Sequence, residues 1–406
     1  MVEKAGGSGA SVPSGDVQAL KNGVPSQPTL SDIDLSKLKV TLAKELKDIP
    51  KPDDLVFGET MSDHMLVLEY TPEAGWSAPE IKPYGPLSLD PSASCFHYCT
   101  NIFEGMKAYL GPDGTPRLFR PELNMARLLN SSERVALPRF SPTALLELIK
   151  KLIAIDARWI PREPGCSLYI RPTMIGTLPS LAVMASTRAT IFVILSPAGK
   201  MFKVPAGISL LAINDHVRAW PGGTGAHKLG LNYTPGFKPQ RAALEKGYQQ
   251  ILWVLGDNIT EAGGMNVAIV LKRPDGDMDI VTPPLDGTIL PGITRASVLE
   301  LLAAHGNETS LPYLSNKTRL HTHERVVTMS ELERTWQDGT LLEAFSFGTA
   351  VVVTPIARIG WKGKDIELPP YAGNHLGPVA RALLERLVDI QEGRVEWKGW
   401  SVPCET

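Results

Sequence analysis

Short apolar runs alternate with amphipathic segments along most of the chain, a pattern typical of proteins that mix α-helices and β-strands. In residues 142–158 the apolar positions recur at helical spacing, so that Leu145, Ile149 and Leu152 share one face. Similar spacing predicts further helices at 121–135, 235–247, 293–304, 330–337 and 376–392. Apolar runs bounded by turn residues predict strands at 65–70, 117–119, 167–176, 190–197, 208–213, 251–256, 265–272, 278–283, 325–328, 341–347 and 350–361.

The beginning of the chain has a different character. Residues 1–30 are rich in Gly, Ser and Pro and lack hydrophobic periodicity, which predicts a disordered tail. A short helix is predicted around Leu38–Leu46, and the ordered fold is expected to start near Asp54. The length of 406 residues favours two domains.

The predicted division has three parts. Residues 1–50 form a disordered or loosely ordered extension, 51–200 a small α/β domain, and 201–406 a large α/β domain. The glycine-containing stretch 198–207 links the two domains.

Composition excludes several classes of protein. Hydrophobic residues make up 43% and charged residues 21% of the chain, as in ordinary globular proteins. The net charge is −2 without a basic stripe, so we expect no nucleic-acid partner. No apolar run approaches the length of a membrane span, so no membrane partner is expected.

Cysteine spacing and the N-terminus bear on metal binding and location. The four cysteines lack the spacing of a zinc site, so no metal is predicted, and their small number fits a reducing compartment. The N-terminus has no apolar signal region, and the first arginine is Arg117 whereas acidic residues come early. A cytoplasmic location is therefore favoured over a mitochondrial one.

One segment carries most of the chemical information. Residues 218–235 read RAWPGGTGAHKLGLNYTP, which places Lys228 in a glycine-rich turn with Tyr233 just beyond it. Glu261 follows in the segment NITEAGGMN. A lysine, a tyrosine and a carboxylate together suit pyridoxal 5′-phosphate, because that cofactor needs a Schiff-base amine, a donor to its phenolic oxygen and an acceptor for its ring nitrogen. A nucleotide-binding P-loop is excluded, since His227 and Leu229 flank the lysine where Gly and Ser/Thr are required.

Several separate motifs make the chain similar to one family. It resembles the branched-chain amino acid aminotransferases, which are fold-type IV pyridoxal phosphate enzymes, from about Phe57 to Pro403. The resemblance implies a two-domain α/β fold with mixed sheets and the cofactor between the domains. The motifs are FGETMSDHM, HYCTNIFEGMKAY, LFRPELNMARL, SLYIRPTMIG, the Lys228 and Glu261 segments, VTPPLDGTILPGITR and FGTA.

The resemblance implies roles for the residues around the cofactor. Lys228 would form the Schiff base and then shuttle the proton between substrate and cofactor. Tyr233 would bond the phenolic oxygen, and Glu261 would pair with the ring nitrogen. The phosphate would be held by Arg127, by the start of a helix and by a hydroxyl in the FGTA turn, since a helix N-terminus favours a dianion. These phosphate contacts would come from Arg127, Ile293, Thr294 and Thr349.

The resemblance also implies a substrate pocket. An aromatic and apolar wall would suit a Leu, Ile or Val side chain. Tyr98, Arg171 and N–H groups near Thr349–Ala350 would hold the α-carboxylate. Val183 would reach in from a second subunit, which makes a homodimer the expected state. The pocket would be lined by Phe57, Tyr98, Phe103, Tyr169, Arg171, Val183 and Ala350.

The predicted activity is transamination of branched-chain or related hydrophobic L-amino acids with 2-oxoglutarate, by a ping-pong mechanism. Several positions depart from the usual family pattern, among them Leu231, Gly264 in place of a threonine, and Phe347 in place of a small residue. They leave open a specialised paralogue acting on an unusual amino acid in secondary metabolism. A D-amino acid aminotransferase or an aminodeoxychorismate lyase-like enzyme of the same fold is a further alternative. A catalytically inactive cofactor-binding or scaffold protein is the alternative outside enzymes. The family also contains mitochondrial members.

Overall fold

The computed structural model describes residues 32–199, 207–371 and 376–404. Over these ranges the chain forms two large β-sheets with helices packed against them. This agrees with the mixed α/β class predicted from the sequence. The predicted tail 1–30 and most of the predicted link at 198–207 lie outside the described residues.

Within the described residues, ten strands build the first sheet, in the order β1-β4-β2-β9-β8-β6-β7-β19, with β3 paired to β2 and β5 paired to β8. Its pairs are antiparallel except for β1 with β4. The strands are β1 (Lys39–Val40), β2 (His64–Thr71), β3 (Gly75–Trp76), β4 (Glu80–Pro83), β5 (Asn101–Phe103), β6 (Met106–Leu110), β7 (Pro116–Phe119), β8 (Ser167–Gly176), β9 (Ala189–Ala198) and β19 (Ser401–Pro403).

The second sheet has the order β12-β11-β10-β17-β16-β13-β14-β15, with β18 paired to β17. It mixes parallel pairs, such as β10 with β11, and antiparallel pairs, such as β13 with β16. Its strands are β10 (Ile208–Ile213), β11 (Gln250–Leu255), β12 (Asn258–Ala262), β13 (Asn266–Lys272), β14 (Met278–Thr282), β15 (Leu320–Glu324), β16 (Leu341–Gly348), β17 (Val352–Trp361) and β18 (Lys364–Glu367).

The helices cover the sheets with their apolar faces. Leu145, Ile149 and Leu152 of the predicted 142–158 helix are fully buried against the first sheet. Ser141 begins that helix, because its hydroxyl accepts a hydrogen bond from the N–H of Ala144. The helices are α1 (Ser94–Tyr98), α2 (Pro121–Arg134), α3 (Pro142–Ile155), α4 (Phe237–Glu245), α5 (Ile293–Ala304), α6 (Met329–Gln337) and α7 (Pro378–Gln391).

Strand β13 shows how alternation builds the second core. Val267 and Ile269 pack into one cluster with β10, β11 and α6, whereas Ala268 and Val270 pack into another with α5 and α7. Successive side chains of a strand point to opposite faces, so a strand covered on both sides reads as a continuous apolar run. This is why NVAIVLK is apolar at nearly every position.

Two predicted elements are wrong. The helix expected around Leu38–Leu46 is absent; Lys39–Val40 form an edge strand instead, and Leu42 and Leu46 are exposed. The strand expected at 325–328 is also absent. The strand in this region, β15, lies just before it and ends at Glu324. Thr328 instead caps helix α6 by accepting a hydrogen bond from the N–H of Glu331.

The two ends of the described chain both attach to the first sheet. Residues before the expected start near Asp54 are already tied to it, since the N–H of Ala43 donates to Nε2 of buried His64 at 2.8 Å. At the other end β19 pairs with β7, although the chain has by then passed through the whole second sheet. The division into an extension and two sequential domains stays a prediction. No helix of the described ranges is both long and apolar enough to span a membrane.

Candidate active site

The lysine segment lies between the two sheets and is fixed from the first of them. Leu229, directly after Lys228, is fully buried in the core of the first sheet. The carbonyl of Lys228 accepts a hydrogen bond from the N–H of Phe103 at 3.1 Å, and its own N–H donates to Ser131 Oγ at 2.9 Å. The backbone of Lys228 is therefore held by β5 and α2, which leaves its side chain free to point into the space between the sheets.

That space is a cavity of about 290 Å³. It collects residues from distant parts of the chain, among them most of those that the sequence singled out. The predicted residues in its wall are Phe57, Phe103, Arg127, Tyr169, Arg171, Lys228, Tyr233, Glu261, Ile293, Thr294, Thr349 and Ala350.

Lys228 and Tyr233 form the centre of the cavity. The ammonium of Lys228 lies 3.1 Å from Tyr233 Oη, within hydrogen-bond distance. It also lies over the ring of Phe103, at 4.8 Å from the ring centroid. Within the part of the chain that the structure describes, the amine therefore has one polar partner and an aromatic surface beside it, with open space on the cavity side.

Glu261 is a buried carboxylate beside this pair. It is 1% exposed, and burial raises its pKa, although the nearby cations of Arg218 and Lys228 act in the opposite direction. Nε of Arg218 lies 2.7 Å from Oε2 of Glu261, but none of the described residues donates a well-aligned hydrogen bond to that oxygen. The contact is thus an ion pair whose carboxylate oxygen still has room for a donor.

Arg127 is positioned by a second buried ion pair. Its Nε and Nη2 donate to the two oxygens of Glu104 at 2.7 and 2.8 Å, and its Nη1 donates to the carbonyl of Pro291 at 3.0 Å. Burial alone would lower the pKa of Arg127, but the Glu104 carboxylate outweighs it and the pKa is raised. Among the described residues, acceptors use three of its five N–H groups, which leaves two for an anion in the cavity.

The start of helix α5 faces the same space. The first N–H groups of a helix have no partner within it, and Gly292 has no side chain that could cap them. A Cβ at Gly292 would lie 2.0 Å from Oδ1 of Asn266, so a side chain here would have to displace the Asn266 amide from the cavity wall. The helix start therefore remains open to an anion.

Tyr169, Arg171 and Phe103 build the other side. Strand β8 places Tyr169 and Arg171 on one face, and the ring of Phe57 meets Tyr169 edge-on at 4.8 Å. The guanidinium of Arg171 lies over the rings of Phe103 and Tyr169, and its buried Nε has no hydrogen-bond partner among the described residues. An arginine with a buried donor that the described residues leave without an acceptor is suited to a carboxylate ligand.

Two predicted pocket residues lie outside this cavity. The hydroxyl of Tyr98 donates to the carbonyl of Leu181, in the loop between β8 and β9. Val183, in the same loop, is 86% exposed. The expectation that Val183 acts on another subunit agrees with this exposure, but the roles of both residues stay predictions.

Comparison with known proteins places the chain in a family. Residues 101–359 match amino-transferase class IV. The chain belongs to the class IV aminotransferases.

Similar proteins narrow this relationship. The chain is 46% identical over 378 residues to the cytosolic branched-chain-amino-acid aminotransferase of Saccharomyces cerevisiae, covering 92% of this chain and 98% of that protein. It is 43% identical over 379 residues to the mitochondrial enzyme of that name from Schizosaccharomyces pombe, covering 92% and 86%. These relatives place the chain in the branched-chain amino acid aminotransferase family, and they come from both compartments.

Solved structures agree in fold. The branched-chain aminotransferase of Thermoproteus uzoniensis with norvaline superposes with a TM-score of 0.65 at 22% identity, covering 84% of this chain and all of that one. At this identity the likeness establishes the fold, and the mixed α/β expectation is confirmed.

The residues of this class IV aminotransferase fit pyridoxal phosphate. The amine of Lys228, the open oxygen of Glu261 and the free N–H groups at Arg127 and helix α5 match an aldehyde, a protonated ring nitrogen and a phosphate. The ring nitrogen and the phosphate of the cofactor would thus bind hydrogen-bond acceptors and donors that have no partner among the described residues.

Four residues that build this candidate site could not be recognised from the sequence. Arg218 and Glu104 are the buried ion partners of Glu261 and Arg127. Lys107, whose pKa burial lowers to about 8, donates to the carbonyl of Ala350 at 2.6 Å and so holds the turn after β16. All four lie within quoted motifs: Glu104 and Lys107 in FEGMKAY, Arg218 at the start of the Lys228 segment, and Asn266 at the end of the Glu261 segment. Nothing in those motifs indicates which residue each one contacts.

Gly264 and Phe347, which depart from the usual family pattern, both line the cavity. Phe347 lines the cavity and is 1% exposed, packed against Phe345 with ring centroids 5.7 Å apart. Gly264 lies beside the ring of Tyr233, where a second cavity of about 220 Å³ begins, and Tyr233 and Gly264 border both cavities.

Gly105 is expected to be intolerant of a side chain. A Cβ at this position would lie 2.1 Å from Tyr169 Oη, so Gly105→Ala must displace the phenol from the cavity wall. We expect a loss of about 1–3 kcal/mol in stability from overpacking, together with an increase in KM for the amino acid substrate. Thermal unfolding and steady-state kinetics check both.

Gly264→Ala is the matched stability control, since its Cβ would lie 3.4 Å from Cε1 of Tyr233, an ordinary contact. Equal thermal stability of the two alanine variants would contradict the expected collision at Gly105.

Proposed function

We propose that the chain transfers the amino group of L-leucine, L-isoleucine, L-valine or related hydrophobic L-amino acids to 2-oxoglutarate, by a ping-pong reaction on pyridoxal 5′-phosphate bound at Lys228. The observation that carries the proposal is the meeting of Lys228, Tyr233 and Glu261 in one cavity with an arginine-lined anion site. The relatives named branched-chain-amino-acid aminotransferase support the substrate class.

The proposed holder of the phosphate is the group around Arg127. Its two unused N–H donors would contact the phosphate together with the N–H groups of Ile293 and Thr294 at the start of helix α5. The Thr349 hydroxyl would add one further donor from the turn after β16. Tyr233 would donate to the phenolic oxygen, and Glu261 would accept from the ring nitrogen.

When bound, the cofactor supplies an electron sink for the negative charge that develops at the substrate Cα. Once the substrate amino group has displaced it from the aldehyde carbon, the freed amine of Lys228 would accept the proton from the substrate Cα and donate it to C4′ of the cofactor, as a general base and then a general acid. The hydroxyl of Tyr233, 3.1 Å away, keeps the amine oriented for both transfers. Glu261 would keep the ring nitrogen protonated because it presents an anion to it.

The proposed substrate contacts use the opposite wall. The unpartnered Nε of Arg171 would bind the α-carboxylate, with N–H groups near Thr349 and Ala350. Phe57, Phe103 and Tyr169 would enclose an apolar side chain. Because 2-oxoglutarate must use the same pocket, its second carboxylate would require some of these polar donors as well.

We further propose that the enzyme acts as a homodimer. The loop between β8 and β9 exposes apolar side chains, with Leu181 at 65% and Val183 at 86% exposed. Exposed apolar residues grouped in one loop are typical of an interface. Tyr98 holds this loop through Leu181, so a second subunit could use Val183 to complete the pocket. One of the relatives is named as mitochondrial and the other as cytosolic, and we propose one of these two locations for this protein.

Turnover of the two leucine enantiomers and of the three branched-chain amino acids tests the substrate assignment. With saturating 2-oxoglutarate we expect kcat/KM for L-leucine to exceed that for D-leucine by about 100-fold or more, with kcat in the ordinary range of about 1–10³ per second. Preference for D-leucine would favour the D-amino acid aminotransferase alternative. Slow turnover of all three branched-chain substrates would favour the specialised paralogue, to which Gly264 and Phe347 draw attention.

A further inference from the structure

Arg218 is a buried arginine that no part of the proposed reaction uses. Its side chain is 4% exposed, and it lies in the segment between β10 and Lys228. Burying a guanidinium is costly unless every part of it is paired. The groups that pair with the guanidinium of Arg218 therefore indicate its role.

Those partners come from three segments that meet at the cavity. Nε lies 2.7 Å from Oε2 of Glu261 on strand β12. Nη1 donates to the carbonyl of Thr288 at 2.9 Å, in the loop that leads to helix α5. Both Nη groups also contact the carbonyl of Gly225 at 3.3 and 3.4 Å, three residues before Lys228. One side chain thus joins the carboxylate, the lysine turn and the approach to the phosphate-binding helix.

The glycine turn is built to allow this. A Cβ at Gly225 would lie 2.5 Å from the carbonyl oxygen of Thr288 and 2.6 Å from Cβ of Ala219. Only a glycine lets these chains approach closely enough for the guanidinium to reach both carbonyls. The close packing fixes where Nε of Arg218 lies relative to Glu261.

The positive charge of Arg218 affects whether the buried carboxylate of Glu261 is ionised. A carboxylate as buried as Glu261 tends to become protonated unless a cation lies beside it. Arg218 supplies that cation permanently, since a guanidinium does not lose its proton in proteins. It does so without occupying Oε2 in a well-aligned hydrogen bond, so the oxygen keeps a lone pair for another donor.

We propose that Arg218 is a positioning residue that keeps Glu261 ionised and aimed at the ring nitrogen of the cofactor, and that couples this carboxylate to the turn carrying Lys228. This inference rests on the proposed function, because it assigns the role of a residue behind Glu261 in the same site. Arg218 acts through Glu261 and does not itself contact the substrate.

The test compares Arg218→Met, Arg218→Lys, Glu261→Gln and the double variant Arg218→Met/Glu261→Gln with the unmodified chain. Each purified protein is titrated with pyridoxal 5′-phosphate, and both the dissociation constant and the position of the visible band are measured. Arg158→Met is the matched control, because Arg158 pairs with a buried carboxylate, Asp63, at 2.9 Å without lining the cavity. Thermal midpoints report folding of every variant.

We expect Arg218→Met to weaken cofactor binding by about tenfold or more, since one partner of a buried charge pair is removed. The visible band should move in the same direction as in Glu261→Gln. Arg218→Lys should restore the band in part, because it keeps the charge but has fewer donors for the two carbonyls. The double variant should resemble Glu261→Gln alone, since residues that act through one another are not additive.

Three results would overturn the inference. One is a visible band in Arg218→Met identical to that of the unmodified chain. Another is full additivity in the double variant, which would mean that the residues act independently. The third is a loss of binding in Arg158→Met as large as in Arg218→Met, which would indicate general destabilisation. If the unmodified chain bound no pyridoxal phosphate, the proposed function itself would fail, and the two failures are thus distinguishable.

Discussion

Replacing Lys228 with alanine is expected to lower kcat for L-leucine by at least about 10⁴-fold. The reason is that Lys228 is the amine beside Tyr233, 3.1 Å from its hydroxyl, and the proposed mechanism assigns to it both bond formation with the cofactor and proton transfer. The backbone of this residue is held by Phe103 and Ser131, so the fold should survive the change. Single-turnover kinetics with L-leucine measure the loss.

A second lysine controls for non-specific effects. Lys238 lies on the exposed side of α4, ten residues further on, and Lys238→Ala should retain full activity with an unchanged thermal midpoint. Turnover of Lys228→Ala within tenfold of the unmodified chain would remove this residue from the proposed reaction.

Replacing Arg127 with methionine is expected to give the largest loss of stability. Glu104 is fully buried, and without Arg127 its charge would keep, among the described residues, only Asn124 Nδ2 at 2.8 Å and the N–H of Gly105 at 3.2 Å. Removing one partner of a buried ion pair typically costs about 3–5 kcal/mol. Cofactor affinity should also fall sharply, because the proposed phosphate site loses its cation. Thermal unfolding and titration with pyridoxal phosphate measure the two effects.

A double variant separates these two effects. Glu104→Gln/Arg127→Met removes the stranded charge and should recover most of the thermal stability, whereas cofactor affinity should remain low. Recovery of both would contradict the assignment of Arg127 to the phosphate, and recovery of neither would contradict the buried-charge explanation.

The sequence predicted the strands and helices of the two sheets wherever periodicity was strong. Strand β8 was predicted with its observed ends, and α5 begins after Pro291–Gly292 as expected. The failures occur where packing overrides a local pattern. Leu38, Leu42 and Leu46 have helical spacing, but Leu42 is 61% and Leu46 58% exposed, so this spacing marks no buried face.

Edge strands are the second kind of failure. Strand β15 reads LHTHE and is partly exposed on both sides, so it lacks the apolar signal of a strand. The sequence instead predicts a strand in the apolar run that follows it, at 325–328. There only Val327 is well buried, packed in the core beneath helix α6, whereas Val326 is 46% exposed.

The site shows a similar limit. Motifs carried by the family resemblance located twelve residues that the fold does bring into one cavity. The buried counter-ions Glu104 and Arg218 lie within motifs, but the sequence does not show which residues they pair with, since an ion pair across 23 or 43 residues of sequence is visible only once the chain is folded. Long-range partners of this kind depend on tertiary packing, which periodicity does not encode.

The most direct test of the central claim is the visible absorbance of the purified protein, loaded with pyridoxal phosphate, before and after L-leucine is added. The account predicts that a band from cofactor bound at Lys228 is lost with L-leucine and returns with 2-oxoglutarate, because each substrate completes one half of the reaction. A protein that shows no such band even with added cofactor, or whose band is unchanged by L-leucine and by the other branched-chain amino acids, would contradict it.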